Sequence, residues 1–283
     1  MPNDTGSSQL AACVSAHGRC KYVRQENLCQ PRDFKLVNSC LNIIQQAVYP
    51  PLCLLCDTPV ATRPFVNNMD LCTDCAVDLP YIGPACSCCA LPLPRAGEVH
   101  RQDTLAYLCG KCQQQRPLFN STRAVFHYQA PIDILILELK FSGSLHHARL
   151  LGQLMAGRLE VLTGEERPDL LLPVPLHRRR LRERGYNQSL ELARHIGRGL
   201  GLPVWFDACE RRRDTAPQSS LPARDRGRNM RNAFISRRSL QGLYVAIIDD
   251  VMTTGSTVAE LSAALLHAGA RRVDVWVCAR ASV

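Results

Sequence analysis

Lysine is absent from the most basic stretch of this 283-residue chain. Between His177 and Arg238 there are sixteen arginines and six acidic residues, which leaves that window at +10 against +9 for the whole chain. All-arginine usage favours bidentate grips on phosphate oxygens, because the guanidinium is a fixed fork of donors. The same bias follows from a GC-rich genome, so the stretch points to a polyanion without naming it. Aromatic residues are also scarce, at 6%, and are not interleaved with the arginines, which excludes a ready stacking platform for bases. No apolar run approaches the roughly 18 residues of a membrane span. The opening Met-Pro-Asn-Asp-Thr-Gly-Ser-Ser has neither a basic n-region nor an apolar h-region, so no secretory signal is expected and a cytoplasmic protein is.

Cysteine, by contrast, is abundant, and eight of the fifteen fall into Cys-x-x-Cys pairs: Cys53/Cys56, Cys72/Cys75, Cys86/Cys89 and Cys109/Cys112. Fifteen residues separate Cys56 from Cys72 and nineteen separate Cys89 from Cys109. Both spacings fit paired zinc knuckles, each giving two thiolates to one tetrahedral metal. Two four-cysteine zinc sites in series are the simplest assignment. An interleaved pairing of 53/56 with 86/89 remains open, as does the register at Cys86-Ser87-Cys88-Cys89, where Cys88 could replace a neighbour. An iron–sulfur cluster is the rival metal reading. Cys13, Cys20, Cys29 and Cys40 have irregular spacing and read as free thiols, while Cys209 and Cys278 read as small buried apolar residues.

Residues 1–40 show no sustained period and are read as a disordered extension. Asn42–Val48 is expected to be a short helix before a double zinc ribbon over 48–115, which is too small to hold a core without metal. From 118 to 283 short apolar strands alternate with helices. Strands are expected over Ala124–Tyr128, Asp169–Val174, Leu202–Phe206, Leu243–Ile248 and Arg272–Ala279. Helices are expected from Ile132 to about Phe141, over Arg149–Leu162, over Ser189–Leu200 with Gly201 closing it, and from Val258 to Ala268. This alternation is that of an α/β fold with a parallel sheet and ligands at the strand C-terminal ends.

Residues 245–257, Val-Ala-Ile-Ile-Asp-Asp-Val-Met-Thr-Thr-Gly-Ser-Thr, join an apolar strand, two adjacent carboxylates and a hydroxyl-rich glycine turn that opens a helix. A helix N-terminus offers unpaired N–H groups and the positive dipole end to an anion. Asp249 and Asp250 can accept hydrogen bonds from sugar hydroxyls or help hold Mg²⁺. Phosphate at one end and a diol at the other describe a ribose 5-phosphate. An ordinary turn with a Thr or Ser N-cap accounts for one hydroxyl but not for the Asp-Asp pair. The pair is expected to end a strand at the rim and to pack against nothing.

This run resembles the phosphoribosyl-pyrophosphate (PRPP) signature of the type I phosphoribosyltransferases. The resemblance implies that Asp249 and Asp250 bind the ribose hydroxyls, and that Thr253, Thr254, Gly255, Ser256 and Thr257 hold the 5′-phosphate. The donor's pyrophosphate needs a surface of its own. Arg178, Arg179, Arg180, Arg182 and Arg184 follow the turn Pro173-Val174-Pro175-Leu176, and Arg213 lies in a long polar segment over Arg211–Arg231 that reads as a mobile lid. Arg178, Arg182, Arg184 and Arg213 are therefore the pyrophosphate or polyanion candidates.

Pro-Val-Pro-Leu-His at 173–177, Arg-Glu-Arg-Gly-Tyr-Asn-Gln at 182–188, Arg-Asp-Thr-Ala-Pro-Gln at 213–218 and Arg-Gly-Arg-Asn-Met-Arg-Asn-Ala-Phe at 226–234 resemble the ComF family, which includes the GntX-type proteins. The likeness covers about residues 48–281. It departs at Arg178, where the family usually has Pro, and at Tyr186, where Phe is more frequent. The resemblance implies a cysteine-rich zinc module joined to a phosphoribosyltransferase-like domain, and a role in uptake of transforming DNA. The expected activity is phosphoribosyl transfer from PRPP with Mg²⁺. The alternative is a non-catalytic protein that binds a nucleotide or single-stranded DNA. The expected partners are PRPP, single-stranded DNA and a DNA-uptake helicase.

Overall fold

The computed structural model describes residues 51–60, 70–93, 107–160, 166–213 and 233–282. The extension over 1–40, the short helix over Asn42–Val48 and most of the lid over Arg211–Arg231 lie outside the described residues. In chain order the elements are α1 (Thr73–Val77), α2 (Gly110–Gln114), β1 (Thr122–His127), α3 (Ile132–Phe141), α4 (Leu145–Leu159), β2 (Leu170–Pro173), α5 (Arg178–Arg184), α6 (Gln188–Leu200), β3 (Cys209–Arg211), β4 (Phe234–Ser236), β5 (Tyr244–Met252), α7 (Ser256–His267) and β6 (Arg272–Arg280). No helix among the described residues is long and apolar enough to cross a membrane.

β1, β6, β5 and β2 form one four-stranded sheet in that order, and every pairing is parallel. A parallel sheet must be covered on both faces, and the side-chain alternation shows how. Leu171, Ala246, Ile248, Trp276 and Cys278 point into one cluster with α3, α4 and α6. Leu170, Leu172, Val245, Ile247, Val273, Val275 and Val277 point into the other with α7 and the β3–β4 hairpin. Cys209 and Cys278 are buried, one in each cluster, in keeping with their reading as apolar filler. Helix α4 crosses α6 closely because position 152 is glycine: a Cβ there would lie 2.5 Å from His195 Cβ.

The cysteine-rich region is continuous with this core. Cys53, Leu71 and Leu79 join the first cluster, whereas Cys86, Cys89, Cys109 and Cys112 join the second. The chain passes from one to the other across the sheet edge at β1. There Ile82 N–H donates to Val125 O at 2.9 Å and His127 N–H donates to Pro80 O at 2.8 Å, an antiparallel bridge onto a parallel sheet. Tyr81 stacks on buried Phe126 with ring centroids 4.9 Å apart, and the Arg158 guanidinium lies 4.4 Å above the Tyr81 ring.

Two local expectations are corrected and one gap is filled. Leu202–Phe206 is not a strand; it makes one parallel bridge, Val204 to Leu171. Arg178–Arg184, to which the sequence assigns no element after the Pro173–Leu176 turn, is helix α5, started by His177, whose side chain accepts from Arg179 N, and stopped by Gly185 at φ 79°. The strand expected to end at Ile248 runs on to Met252, so the Asp pair lies inside β5.

Phe126 anchors the edge on which both cysteine-rich halves rest. Phe126→Ala is expected to cost about 3–5 kcal/mol in a denaturant melt and to loosen proteolysis of 51–93 along with the sheet.

Candidate functional site

The metal-ligand question resolves first. The thiols of Cys53, Cys56, Cys72 and Cys75 lie within 4.8 Å of one another, and so do those of Cys86, Cys89, Cys109 and Cys112. Pairing is thus sequential and not interleaved, and Cys88 is buried outside both tetrads. The halves repeat one design. Asp57 (φ 56°) and Ala90 (φ 53°) turn the chain just after each first pair, and the bridges Leu52 to Pro59 and Ala85 to Pro92 close the two knuckles. Each second pair begins at a helix N-cap, Cys72 for α1 and Cys109 for α2. The Cys56–Cys72 and Cys89–Cys109 sulfurs are 3.7 Å apart. A tetrahedron with Zn–S bonds of about 2.3 Å places sulfurs about 3.8 Å apart, so both tetrads fit zinc. Within the thiol clusters the protons are unequally held: Thr58 hydrogen bonds pull Cys56 down to about 6, and its neighbours push Cys75 up.

The second site is at the C-terminal end of β5. Asp249 Oδ1 accepts from Ser189 Oγ and from Asp250 N, both at 3.0 Å, and Asp250 Oδ1 accepts from Val251 N at 2.7 Å. Ser189 is placed by the start of α6. Asn187 caps that helix by accepting from Ser189 N at 3.0 Å, and its amide donates to Val174 O at 3.0 Å. The turn after β2 is thereby tied to the carboxylates of β5. Opposite them Lys140, in the last turn of α3, puts Nζ 3.0 Å from Asp250 Oδ2. Asp250 is 5% exposed, so the expectation that the pair packs against nothing is wrong.

Burial and then the Asp250 charge push the Asp249 carboxyl up to about 7, against the pull of the Ser189 hydroxyl, the Asp250 N–H and Lys140. Burial pulls Lys140 down, but the Asp250 carboxylate outweighs it and holds the ammonium above its ordinary range. Asp249 is therefore short of donors to its carboxylate. Hydroxyl groups or a cation brought by a ligand would supply them.

Thr253–Gly255 leads from β5 into α7. Gly255 is the N-cap at φ 80°, a left-handed conformation that favours glycine, and a Cβ there would also displace the Met252 methyl, 2.7 Å away. Thr254 Oγ1 and Ser256 Oγ are 3.1 Å apart, and residues 253–257 are half-buried, open on one side. The first turn of a twelve-residue helix thus faces the same rim as Asp249.

The arginine candidates are dispersed. Arg184 lies 5.5 Å over the Phe141 ring, next to Lys140 in sequence. Arg182 is exposed on α5, and Arg213 is exposed after β3. Arg178 lines a cavity of about 390 Å³ with His177, Glu210, Arg211, Arg212 and Arg237, and its guanidinium is 3.7 Å from Glu210.

Two residues escaped the sequence reading. Lys140 looks like a cation at a helix C-terminus, an ordinary complement to the dipole. Its one distinguishing signal is that it is the last lysine in a chain with four lysines and thirty arginines. Arg280 is 5% exposed and donates to Thr253 O at 2.6 Å, Met252 O at 3.1 Å and Cys89 O at 2.9 Å. Nothing local in the sequence marks it.

Cys89→Ser is expected to drop zinc from about two to about one per chain by elemental analysis, whereas Cys88→Ser keeps both. Asp250→Asn leaves the Lys140 ammonium without its partner and should cost about 3 kcal/mol, recovered in large part by adding Lys140→Met. The pH dependence of Asp249 has the unusual sign. Its folded value lies above the unfolded one, so its contribution is full below about 4 and is lost as pH rises toward 7. Asp249→Asn should therefore melt higher than the parent at pH 8, with the gap narrowing toward pH 4.

Comparison with known proteins agrees with this geometry. Residues 44–113 match the family model described as a double zinc ribbon domain. The chain is 38% identical over 237 residues to the DNA utilization protein YhgH of Escherichia coli O157:H7, covering 82% of this chain and 97% of that protein. It is 36% identical to competence protein F of Haemophilus influenzae, over 61% of this chain and 78% of that one. A purine phosphoribosyltransferase from Pyrococcus horikoshii Ot3 overlaps 46% of this chain and 79% of its own at 16% identity and a TM-score of 0.29, too low to add to the strand order. With near-complete coverage of a relative at that identity, two cysteine tetrads in ribbon form and a parallel α/β sheet behind them, the chain belongs to the ComF/YhgH family of double-zinc-ribbon proteins.

Proposed function

We propose that this protein binds PRPP with Mg²⁺ at the rim formed by β5, α7 and the turn after β2, and transfers its phosphoribosyl group as part of handling incoming DNA. The observation that carries this reading is one continuous piece of chain. Asp249 and Asp250 end in a glycine turn at φ 80°, which opens directly into the N-terminus of α7. Asp249 accepts from the ribose hydroxyls, which supply the donors its raised carboxyl lacks. The N–H groups and hydroxyls of 253–257 hold the 5′-phosphate. The carboxylate pair already faces Lys140 and belongs to no larger acidic cluster among the described residues. Mg²⁺ would accordingly arrive with pyrophosphate oxygens, not in a protein cage. As pyrophosphate leaves, C1 becomes oxocarbenium-like, and the chain's contribution is to orient the ribose and place carboxylate charge beside it. No protein nucleophile is needed.

The names of the relatives, DNA utilization protein and competence protein, support the link to DNA. The cavity of about 390 Å³ ringed by Arg178, Arg211, Arg212 and Arg237 favours a second reading, in which single-stranded DNA or a nucleotide is bound without turnover.

Calorimetry with PRPP, with and without Mg²⁺, tests the first reading. Binding is expected to need Mg²⁺ and to weaken at least about tenfold in Asp249→Asn, the worth of one charge-assisted hydrogen bond. No binding to the parent protein would overturn it, and binding without pyrophosphate release alongside any nitrogen nucleophile would leave a binder and no enzyme. For the second reading, affinity for an oligonucleotide should fall with salt at a log–log slope of about −0.7 per phosphate contacted, and less steeply in Arg178→Ala plus Arg237→Ala.

A further inference from the structure

Arg280 ends β6 with its side chain buried, and its hydrogen bonds all go to main-chain carbonyls. Nε donates to Cys89 O, and Nη1 donates to Met252 O and Thr253 O and also reaches Ala281 O. Among the described residues no carboxylate forms an ion pair with it. A buried cation without a counter-ion is costly. One end of this guanidinium grips the turn that leads into α7, and the other grips a cysteine of the second tetrad.

We propose that Arg280 is the positioning residue of the 253–257 loop, and that it makes the loop's geometry depend on metal in the second cysteine cluster. Four thiolates around a divalent ion form a net dianion. Metal therefore supplies the missing counter-charge beside Arg280. It also fixes the knuckle, in which Cys86 N–H donates to Leu91 O and Ala90 N–H donates to Cys86 O, both at 2.8 Å, and so orients the Cys89 carbonyl. The guanidinium carries that orientation to the carbonyls of Met252 and Thr253. Fixing those carbonyls fixes the peptide planes that carry the N–H groups of Thr253 and Thr254, the loop residues just before the Gly255 cap of α7. The first tetrad has no such link: its Cys53 packs in the cluster on the other face, with α3 and α4. The two metals thus have different roles, and only the second reaches the loop.

The effect on ligand rests on the PRPP reading, but the effect on the loop does not, and amide hydrogen exchange reads it directly. In Cys109→Ser, which empties the second cluster, amides of 253–257 should exchange at least about tenfold faster, the loss of one hydrogen bond to a charged group. In Cys72→Ser, which empties the first, they should not change. Arg280→Lys should keep two zinc per chain, show the loosened loop from the start and gain nothing further from Cys109→Ser. Equal loosening by both cysteine variants, or none by Cys109→Ser, overturns the proposal. Should Cys109→Ser lose protection throughout the sheet, the intact protein decides, with zinc and then the larger cadmium in both clusters. Loop exchange should respond to the swap with Arg280 present and not in Arg280→Lys, and an equal response in both overturns it. PRPP affinity should fall about tenfold in Cys109→Ser and stay level in Cys72→Ser. Failure of the parent to bind PRPP would sink the proposed function and leave the exchange comparison standing.

Discussion

Parallel pairing of β5 with β6 is the constraint on which the rest of the molecule depends. Its register runs from Tyr244 opposite Arg272 to Met252 opposite Arg280. Because β2 and β1 run the same way, all four strands end at one rim. The carboxylates of β5, the glycine turn before α7 and the Pro173–Val174 turn after β2 are therefore neighbours by topology. The same parallel arrangement demands apolar cover on both faces, which α3, α4 and α6 supply on one side and α7 with the hairpin on the other. The ribbons finish the edge at β1. An exposed edge strand is a template for unwanted pairing, and residues 80–82 occupy it with main-chain hydrogen bonds.

Within that frame the rim is electrostatically incomplete. Two adjacent carboxyls share one ammonium, and Asp249 is held near the point of protonation at neutral pH. Ser189 and Lys140 come from different helices, so the pair is braced by two separate elements before any ligand arrives. This explains why the substitutions at 249 and 250 differ in expected outcome. Asp249 is half-buried beside a second carboxylate, so neutralising it relieves the desolvation and like-charge cost that its ionised form carries. Asp250 is the partner of a buried lysine, and neutralising it creates strain.

What the sequence disclosed depended on how local each signal was. The Val245–Thr257 run was legible because strand, carboxylates, glycine and helix start are contiguous, and Gly255 has the left-handed conformation its position suggests. The four Cys-x-x-Cys pairs were legible for the same reason, and sequential pairing was the simplest assignment, but the exclusion of the interleaved one was not legible. It depends on the chain crossing β1 between the halves, a tertiary event. Helix α5 was hidden because Arg-Arg-Arg-Leu-Arg-Glu-Arg has no apolar period; its boundaries lie in the His177 cap and Gly185. The β3–β4 hairpin was hidden because two three-residue strands on either side of a long segment carry no periodicity. Lys140 and Arg280 act on residues distant in sequence, Asp250 and Cys89, so no window that contains either one contains its partner.

Charge was the least transferable signal. The arginine-rich window carries +10, but part of that charge is already committed within the fold. Arg179 pairs with Glu183, Arg194 with Glu191 and Arg238 with Asp207, while Arg237 bonds Glu210 closely enough to hold its carboxyl below the usual range. Arg184 covers the Phe141 ring and Arg238 lies over Trp205. Such arginines bury stem and face against the protein and contribute less to a diffuse field than their number implies. A polyanion would meet a local concentration instead, around the cavity where Arg178, Arg211, Arg212 and Arg237 surround the single carboxylate of Glu210. That cavity follows directly on the turn after β2, whose Val174 carbonyl is held by Asn187, and Asn187 places Ser189 on Asp249. Three consecutive hydrogen bonds thus tie the turn after β2, which His177 and Arg178 of that cavity closely follow in sequence, to the carboxylate rim.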